Sequence, residues 1–235
     1  MPLMRLDKYL SECTALSRSQ LREIIKNGSV CVDDVPVRSP EQKLDSDTAK
    51  VTLDGKPVRY EKFCYYMLNK PSGLLSATDD KKQKTVIDLF PAELRKKNLF
   101  PVGRLDKDTT GLLIITNDGE FAHRVISPKS EIVKTYRACT ESPVDDADVE
   151  AFRQGIVLAD GTQCLPAGLE KLPDGSCLVR VMEGKYHQVK RMFAKVGHPV
   201  LYLQRVSMGT LTLDDSLKTG EYRELTADEI AALKR

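Results

Sequence analysis

No run of apolar residues in this sequence approaches the roughly 18 that a membrane-spanning helix needs. The opening MPLMRLDKYL sets acidic and basic residues where a signal peptide requires an apolar core, so a cytoplasmic protein is expected. The six cysteines include no C-x-x-C pair and have no histidine at metal-ligand spacing. This argues against the common zinc frameworks and predicts buried free thiols in a reducing compartment. Neither a G-x-G-x-x-G fingerprint nor a P-loop is present, and no cofactor is expected. Internal repeats and low-complexity segments are also missing. Net charge is nearly absent too: 36 Lys and Arg stand against 34 Asp and Glu, a balance of +2, so a nucleic-acid partner would have to be met by a local patch.

What is present is concentrated in GRLDKDTTGLLIITNDG, Gly103 to Gly119. Two glycines bracket a polar loop containing Arg104, Asp106, Lys107, Asp108, Thr109 and Thr110. An apolar run of strand length, Leu112 to Thr116, follows and ends in the turn signal Asn117-Asp118-Gly119. An aspartate beside an arginine on such a platform stays ionised and can act as a nucleophile. From spacing alone, turn and capping roles for Asp106 and Asp108 stay slightly ahead of that reading.

Other stretches give the organisation. Leu6, Tyr9, Leu10 and Cys13 recur at helical spacing. Ser17 and Gln20 form a capping box for a second helix, with Gly28 past its end. On that helix Arg18, Arg22 and Lys26 fall on one stripe, either a solvated face or a phosphate-binding one. Val30–Val32 and Val35–Val37 flank Asp33-Asp34 as a hairpin, and Ala49 to Leu53 reads as a further strand. A charged step at Arg59 to Lys62 predicts a boundary, giving domains 1–60 and 61–235. Beyond it the sequence predicts a strand ending at Asn69-Lys70-Pro71-Ser72-Gly73, a helical turn over Thr85 to Phe90, a helix over Gly119 to Ile126 and a strand over Ile132 to Thr140. Further on it predicts a polar helix over Asp145 to Gln154, antiparallel sheet over Gly155 to Val181, strands near Val200 to Val206 and Thr210 to Leu213, and a last helix capped by Thr226. Val189, Met192, Phe193 and Val196 mark the buried face of a helix that sets His187, Lys190 and Arg191 together on another face. From Glu183 to Arg205 five Lys and Arg meet one acid, which is the local patch.

These motifs carry a resemblance. GRLDKDTTGLLIITNDG, LNKPSG at Leu68 to Gly73, KTY at Lys134 to Tyr136 and EGKYHQVKRMF at Glu183 to Phe193 resemble, in order, the motifs of the pseudouridine synthases of RsuA type, the ribosomal-RNA class. The first quarter, with RLDKYL and SRSQ, resembles the ribosomal-protein S-four-like RNA-binding domain. The resemblance implies an α+β protein: a small N-terminal RNA-binding domain and a catalytic domain on a mixed, largely antiparallel sheet.

It implies isomerisation of uridine to pseudouridine in ribosomal RNA on a flipped-out base, with Asp106 catalytic, Lys190 its basic partner and Tyr136 stacked on the base. Arg104 would fill the vacated space or bind phosphate. It implies RNA contacts from Arg18, Arg22 and Lys26, from Lys70 at the turn framing the cleft, and from Arg191 in the patch. His187 is expected to contact RNA or to pack, and not to bind metal. Lysine at 190, where the wider superfamily uses arginine, supplies charge without a bidentate fork. Y-H-Q-V-K-R-M-F is closer to the small-subunit enzymes. The partner would be ribosomal RNA or a pre-ribosomal particle, met by a monomer away from membranes. A non-catalytic RNA-binding or ribosome-assembly factor, a large-subunit synthase, and a hydrolase using Asp106 and Asp108 as a carboxylate pair are the alternatives.

Overall fold

A computed structural model describes residues 3–127 and 130–234. The chain forms two compact units, one of Met1–Phe63 with Phe90–Asn98, the other of Cys64–Leu89 with Leu99–Arg235.

The first unit runs β1 (Leu3–Arg5), α1 (Leu6–Cys13), α2 (Arg18–Lys26), β2 (Val30–Val32), β3 (Val35–Val37), β4 (Lys43–Asp45), β5 (Val51–Leu53) and β6 (Lys56–Val58), with a short α3 (Ala92–Arg95) from the later segment. The expected capping box is formed: the Gln20 side chain accepts from the Ser17 N–H at 2.9 Å, and Ser17 accepts from the Gln20 N–H. Asp33 and Asp34 both take positive φ, 50° and 66°, as a two-residue hairpin turn of primed type requires. An antiparallel sheet ordered β3-β2-β5-β6 and the two helices enclose Leu6, Tyr9, Leu10, Leu21, Ile25 and Val30. Strands β1, β4 and β6 were not anticipated: LMR, KLD and KPV each carry a charged residue, whereas the equally short strands that could be read, VCV, VPV and VTL, carry none.

The second unit contains β7 (Tyr65–Lys70), a 3-10 turn (Val86–Leu89), β8 (Phe100–Pro101), β9 (Thr110–Thr116), α4 (Gly119–Ile126), β10 (Lys134–Thr140), α5 (Asp146–Gln154), β11 (Gly168–Lys171), β12 (Cys177–Val181), α6 (Gln188–Lys195), β13 (Val200–Met208), β14 (Leu211–Thr212), β15 (Tyr222–Glu224) and α7 (Ala227–Leu233). Its nine-stranded sheet is ordered β11-β12-β10-β13-β9-β7-β15, with β14 on β13 and β8 on β9. Only β13 and β9 run parallel, so the sheet is mixed and largely antiparallel. Every residue of β9 is buried, which explains why it reads as a continuous apolar run and not an alternating one. Gly111, at φ +95°, sits where β9 meets β13; a Cβ there would lie 2.3 Å from the Arg205 carbonyl oxygen. The strand thus fixes the polar loop before it to the centre of the sheet.

All six cysteines are free, but only Cys64, Cys164 and Cys177 are buried; Cys13, Cys31 and Cys139 are half-buried, against the expectation of six buried thiols. No helix among the described residues is long and apolar enough to cross a membrane.

Candidate active site

The loop from Gly103 to Thr109 is held from beneath. Lys70, at the end of β7, is fully buried, and its Nζ donates to the carbonyls of Pro71 (3.0 Å), Asp106 (3.2 Å), Lys107 (3.1 Å) and Thr109 (2.9 Å). Ser76 adds a reciprocal pair: its hydroxyl donates to the Leu105 carbonyl at 2.9 Å and accepts from the Leu105 N–H at 3.0 Å. Gly73 N–H reaches the Lys107 carbonyl at 2.8 Å. Burial pushes the Lys70 ammonium down to about 8, against the opposing pull of Asp108 and Asp106. The expected RNA contact from Lys70 is therefore corrected. Its ammonium gathers the loop carbonyls, and with four acceptors for its three protons it has no donor left for a phosphate.

On this platform the Asp106 side chain is one-quarter exposed. Lys190 Nζ lies 3.3 Å from Asp106 Oδ2 and 2.5 Å from Asp108 Oδ1, bridging the two carboxylates, and His187 Nε2 lies 3.4 Å from Asp106 Oδ1. The hydrogen bond from Lys190 holds the Asp108 carboxyl below its ordinary range. A lysine suffices because two single-point contacts are made and no planar fork is needed.

His187 is not on the helix as expected. It is the N-cap residue of α6, in the left-handed region at φ 48° and ψ 32°, which turns its ring away from the helix face and onto Asp106. Tyr186 stacks on that ring, centroids 3.9 Å apart at 18°, with its own ring largely exposed. Arg191 does not join Lys190. It donates to the Tyr186 carbonyl at 3.3 Å and pairs with Asp160 at 2.5 Å, and its hydrogen bond to Asp160 carries that carboxyl down to about 2.

Asp106, Thr109, Tyr136, His187 and Lys190 line a pocket of about 70 Å³ whose rim includes Arg104. Arg104 is exposed and makes no ion pair among the described residues. Sequence reasoning passed over Ser76 and Gln188. Buried Gln188 accepts from the Lys185 N–H at 3.0 Å and donates to Glu183 at 2.8 Å, closing the turn that delivers His187. The legible signal was a glutamine four residues before Met192, a polar side chain on the helix's apolar face.

In the N-terminal unit, Arg18 and Arg22 are not free cations on a stripe. With Arg5 they surround the buried Asp7 carboxylate, at 2.9 Å from Arg18 Nη2, 3.2 Å from Arg22 Nε and 3.1 Å from Arg5 Nη2. Burial works to raise the Asp7 carboxyl, but these hydrogen bonds outweigh it and carry it down to about 2. The arginine heads are half-exposed and fixed in direction, while Lys26 pairs with Glu23 at the surface.

Comparison with known proteins gives concordant findings. A family model described as RNA pseudouridylate synthase matches residues 64–195, and an S4 domain model matches residues 4–48. The chain is 44% identical to the uncharacterised RNA pseudouridine synthase YtzG of Bacillus subtilis, over 98% of each chain. It is 41% identical to the ribosomal small subunit pseudouridine synthase A of Vibrio cholerae, over 98% of this chain and 99% of that one. A crystal structure of a pseudouridylate synthase superposes with a TM-score of 0.70 at 38% identity, covering 98% of this chain and 99% of that chain.

Proposed function

The chain belongs to the RNA pseudouridylate synthase family, and from that premise we propose that it isomerises a uridine of ribosomal RNA, in the small subunit, with Asp106 as the catalytic carboxylate. The observation that carries this reading is the placement of Asp106. It sits on a loop gathered by Lys70, between Lys190 and His187, at a pocket that Tyr136 also lines.

Each group has work in the reaction. The target uridine leaves its stack to reach the pocket, and the Tyr136 ring offers a face for the extruded base. Asp106 drives scission of the bond from uracil N1 to ribose C1′. It does so by attacking the ring, by attacking C1′, or by removing a sugar proton to give a glycal. The freed base rotates, a bond from C5 to C1′ forms, C5 gives up its proton and N1, released from the ribose, takes one up, so the mass of the RNA is unchanged. Lys190 and His187, at 3.3 Å and 3.4 Å from its two oxygens, orient the Asp106 carboxylate before the chemistry. Arg104, exposed at the rim, is proposed to occupy the space that the uridine leaves or to hold its phosphate.

In the N-terminal unit the half-exposed heads of Arg18 and Arg22, with Lys26, are proposed to lie along the RNA backbone, a sequence-independent and salt-sensitive mode. The protein is proposed to act as a cytoplasmic monomer, with residues 1–60 as the binding domain and 61–235 as the catalytic domain.

The test is carbodiimide mapping by primer extension on ribosomal RNA from cells lacking the protein and complemented with wild type or Asp106→Ala. One stop that appears with wild type and vanishes with the variant supports the activity, the carboxylate and the target together. Unmodified RNA in both, with folded protein present, would return the chain to an RNA-binding assembly factor.

A further inference from the structure

Next to the Asp106 pocket lies a larger groove of about 430 Å³, and the two share Arg104, Tyr136 and Lys185 in their walls. Its outer wall is apolar and unusually open to solvent: Ile126, Leu165 and Met182 are 45%, 48% and 42% exposed. Two cations, Lys134 on β10 and Arg205 on β13, also line it and are 9% and 3% exposed.

Neither cation has a carboxylate partner among the described residues. Lys134 Nζ donates to the Met182 carbonyl at 3.2 Å, and Arg205 Nε donates to the Leu112 carbonyl at 2.8 Å. Arg205 Nη2 is buried with no hydrogen-bond partner among the described residues. Burial, and then repulsion from Arg205, push the Lys134 ammonium below its ordinary range. The one acid lining the groove, Glu183, is already engaged: it accepts from the Leu165 N–H at 2.9 Å and from Gln188, and pairs with Lys185 at 2.7 Å. Buried lysine and arginine are rare unless paired, because an uncompensated charge away from water is costly. Two such charges side by side, beneath apolar walls that weaken screening, make a site prepared for an anion.

We propose that this groove binds a phosphodiester of the RNA strand next to the target uridine, with Lys134 and Arg205 as its cationic floor. The assignment of RNA as the source of the phosphate rests on the synthase reading; the anion site itself does not. Held there, the strand would pass over Met182 and Leu165 while the neighbouring nucleotide enters the Asp106 pocket.

Two measurements test it. In the first, protein carrying 13C-methyl methionine is titrated with inorganic phosphate and followed by NMR. The Met182 and Met208 signals, both from the groove, are expected to move, while Met67 and Met192, buried elsewhere, stay still. The response should disappear in Lys134→Met and in Leu165→Glu, which sets a carboxylate at the exposed rim; if Lys134→Met fails to fold, Leu165→Glu decides. Signals that stay still in wild type overturn the proposal.

In the second, RNA substrates carry a neutral methylphosphonate at each linkage in turn around the target. One linkage should raise KM about tenfold with little change in kcat in wild type, the loss expected for one charge-assisted contact, and cost nothing further in Lys134→Met. Methyl signals that move while every neutral linkage is tolerated assign the groove to a free anion and overturn the RNA assignment. Wild type that converts no uridine in unmodified RNA defeats the synthase reading, and the NMR titration then judges the groove alone.

Discussion

The arginine cluster of one unit and the Asp106 loop of the other rest on buried ions of opposite sign. In the N-terminal unit the ion is an acid: Asp7 is fully buried and three arginines converge on it from the surface. Under the Asp106 loop of the larger unit it is a base: Lys70 is fully buried beneath a loop whose carboxylates, Asp106 and Asp108, remain partly exposed. The first arrangement neutralises one arginine charge of three and holds all three heads in fixed directions, a surface suited to a regular anionic backbone. The second uses an ammonium to gather backbone carbonyls and leaves a carboxylate facing a pocket, a surface suited to reacting with one base. A buried ion therefore does different work according to which partner stays wet.

That contrast can be broken at four points. The largest effect is expected in the catalytic unit from Asp106→Asn, which should lower turnover by about three orders of magnitude or more, while Asp108→Asn costs about tenfold at most. Single-turnover assays on a purified RNA fragment read the difference, and equal losses would show that the bridge made by Lys190, and not one carboxylate, is what counts. Next is Lys70→Met, which leaves four carbonyls without their donor. It should cost about 2–4 kcal/mol in urea unfolding and reduce kcat more than KM, because the loop loosens before substrate is bound.

In the N-terminal unit, Asp7→Asn should cost roughly 1–2 kcal/mol at pH 6, after allowance for screening of the half-exposed arginines. The sign is set by a folded value of about 2 against an ordinary 3.8. The stabilisation is complete above pH 3.8 and is lost as the pH falls toward 2, so the deficit of the variant should shrink when unfolding is measured at pH 3. A constant deficit would show that shape, and not charge, is what Asp7 supplies. The smallest change is Lys190→Arg, expected to stay within about tenfold of wild-type kcat because the charge is kept while the two single-point contacts are rearranged.

Much of the fold was legible because the signals are local. Ser17 and Gln20, Asp33-Asp34, and Thr226 ahead of α7 each announce an element through contacts within a few residues. The order of the nine strands was not, since the parallel pairing of β13 with β9 joins residues more than ninety positions apart. Tyr222–Glu224 went unread as a strand for the same reason: its pairing with β7 is supplied wholly by tertiary contact. In the site, residue identities could be read but directions could not. Lys70 looks like any surface lysine until the loop folds over it, and His187 leaves the helix pattern only because its backbone turns left-handed. Arg18 and Arg22 share a stripe, yet nothing in their spacing reveals the aspartate eleven and fifteen residues earlier that holds them.

Gly111 has a consequence for how such a chain can diversify. Its missing Cβ lets the Arg205 backbone press against the strand that follows the Asp106 loop, so one backbone crossing serves the proposed catalytic carboxylate and the proposed phosphate groove at once. Any side chain there would part the two strands and disturb both together, leaving lineages no gradual route through that position. Preference for a new RNA would have to be written in the outer loops and the N-terminal unit, where variation leaves the crossing intact.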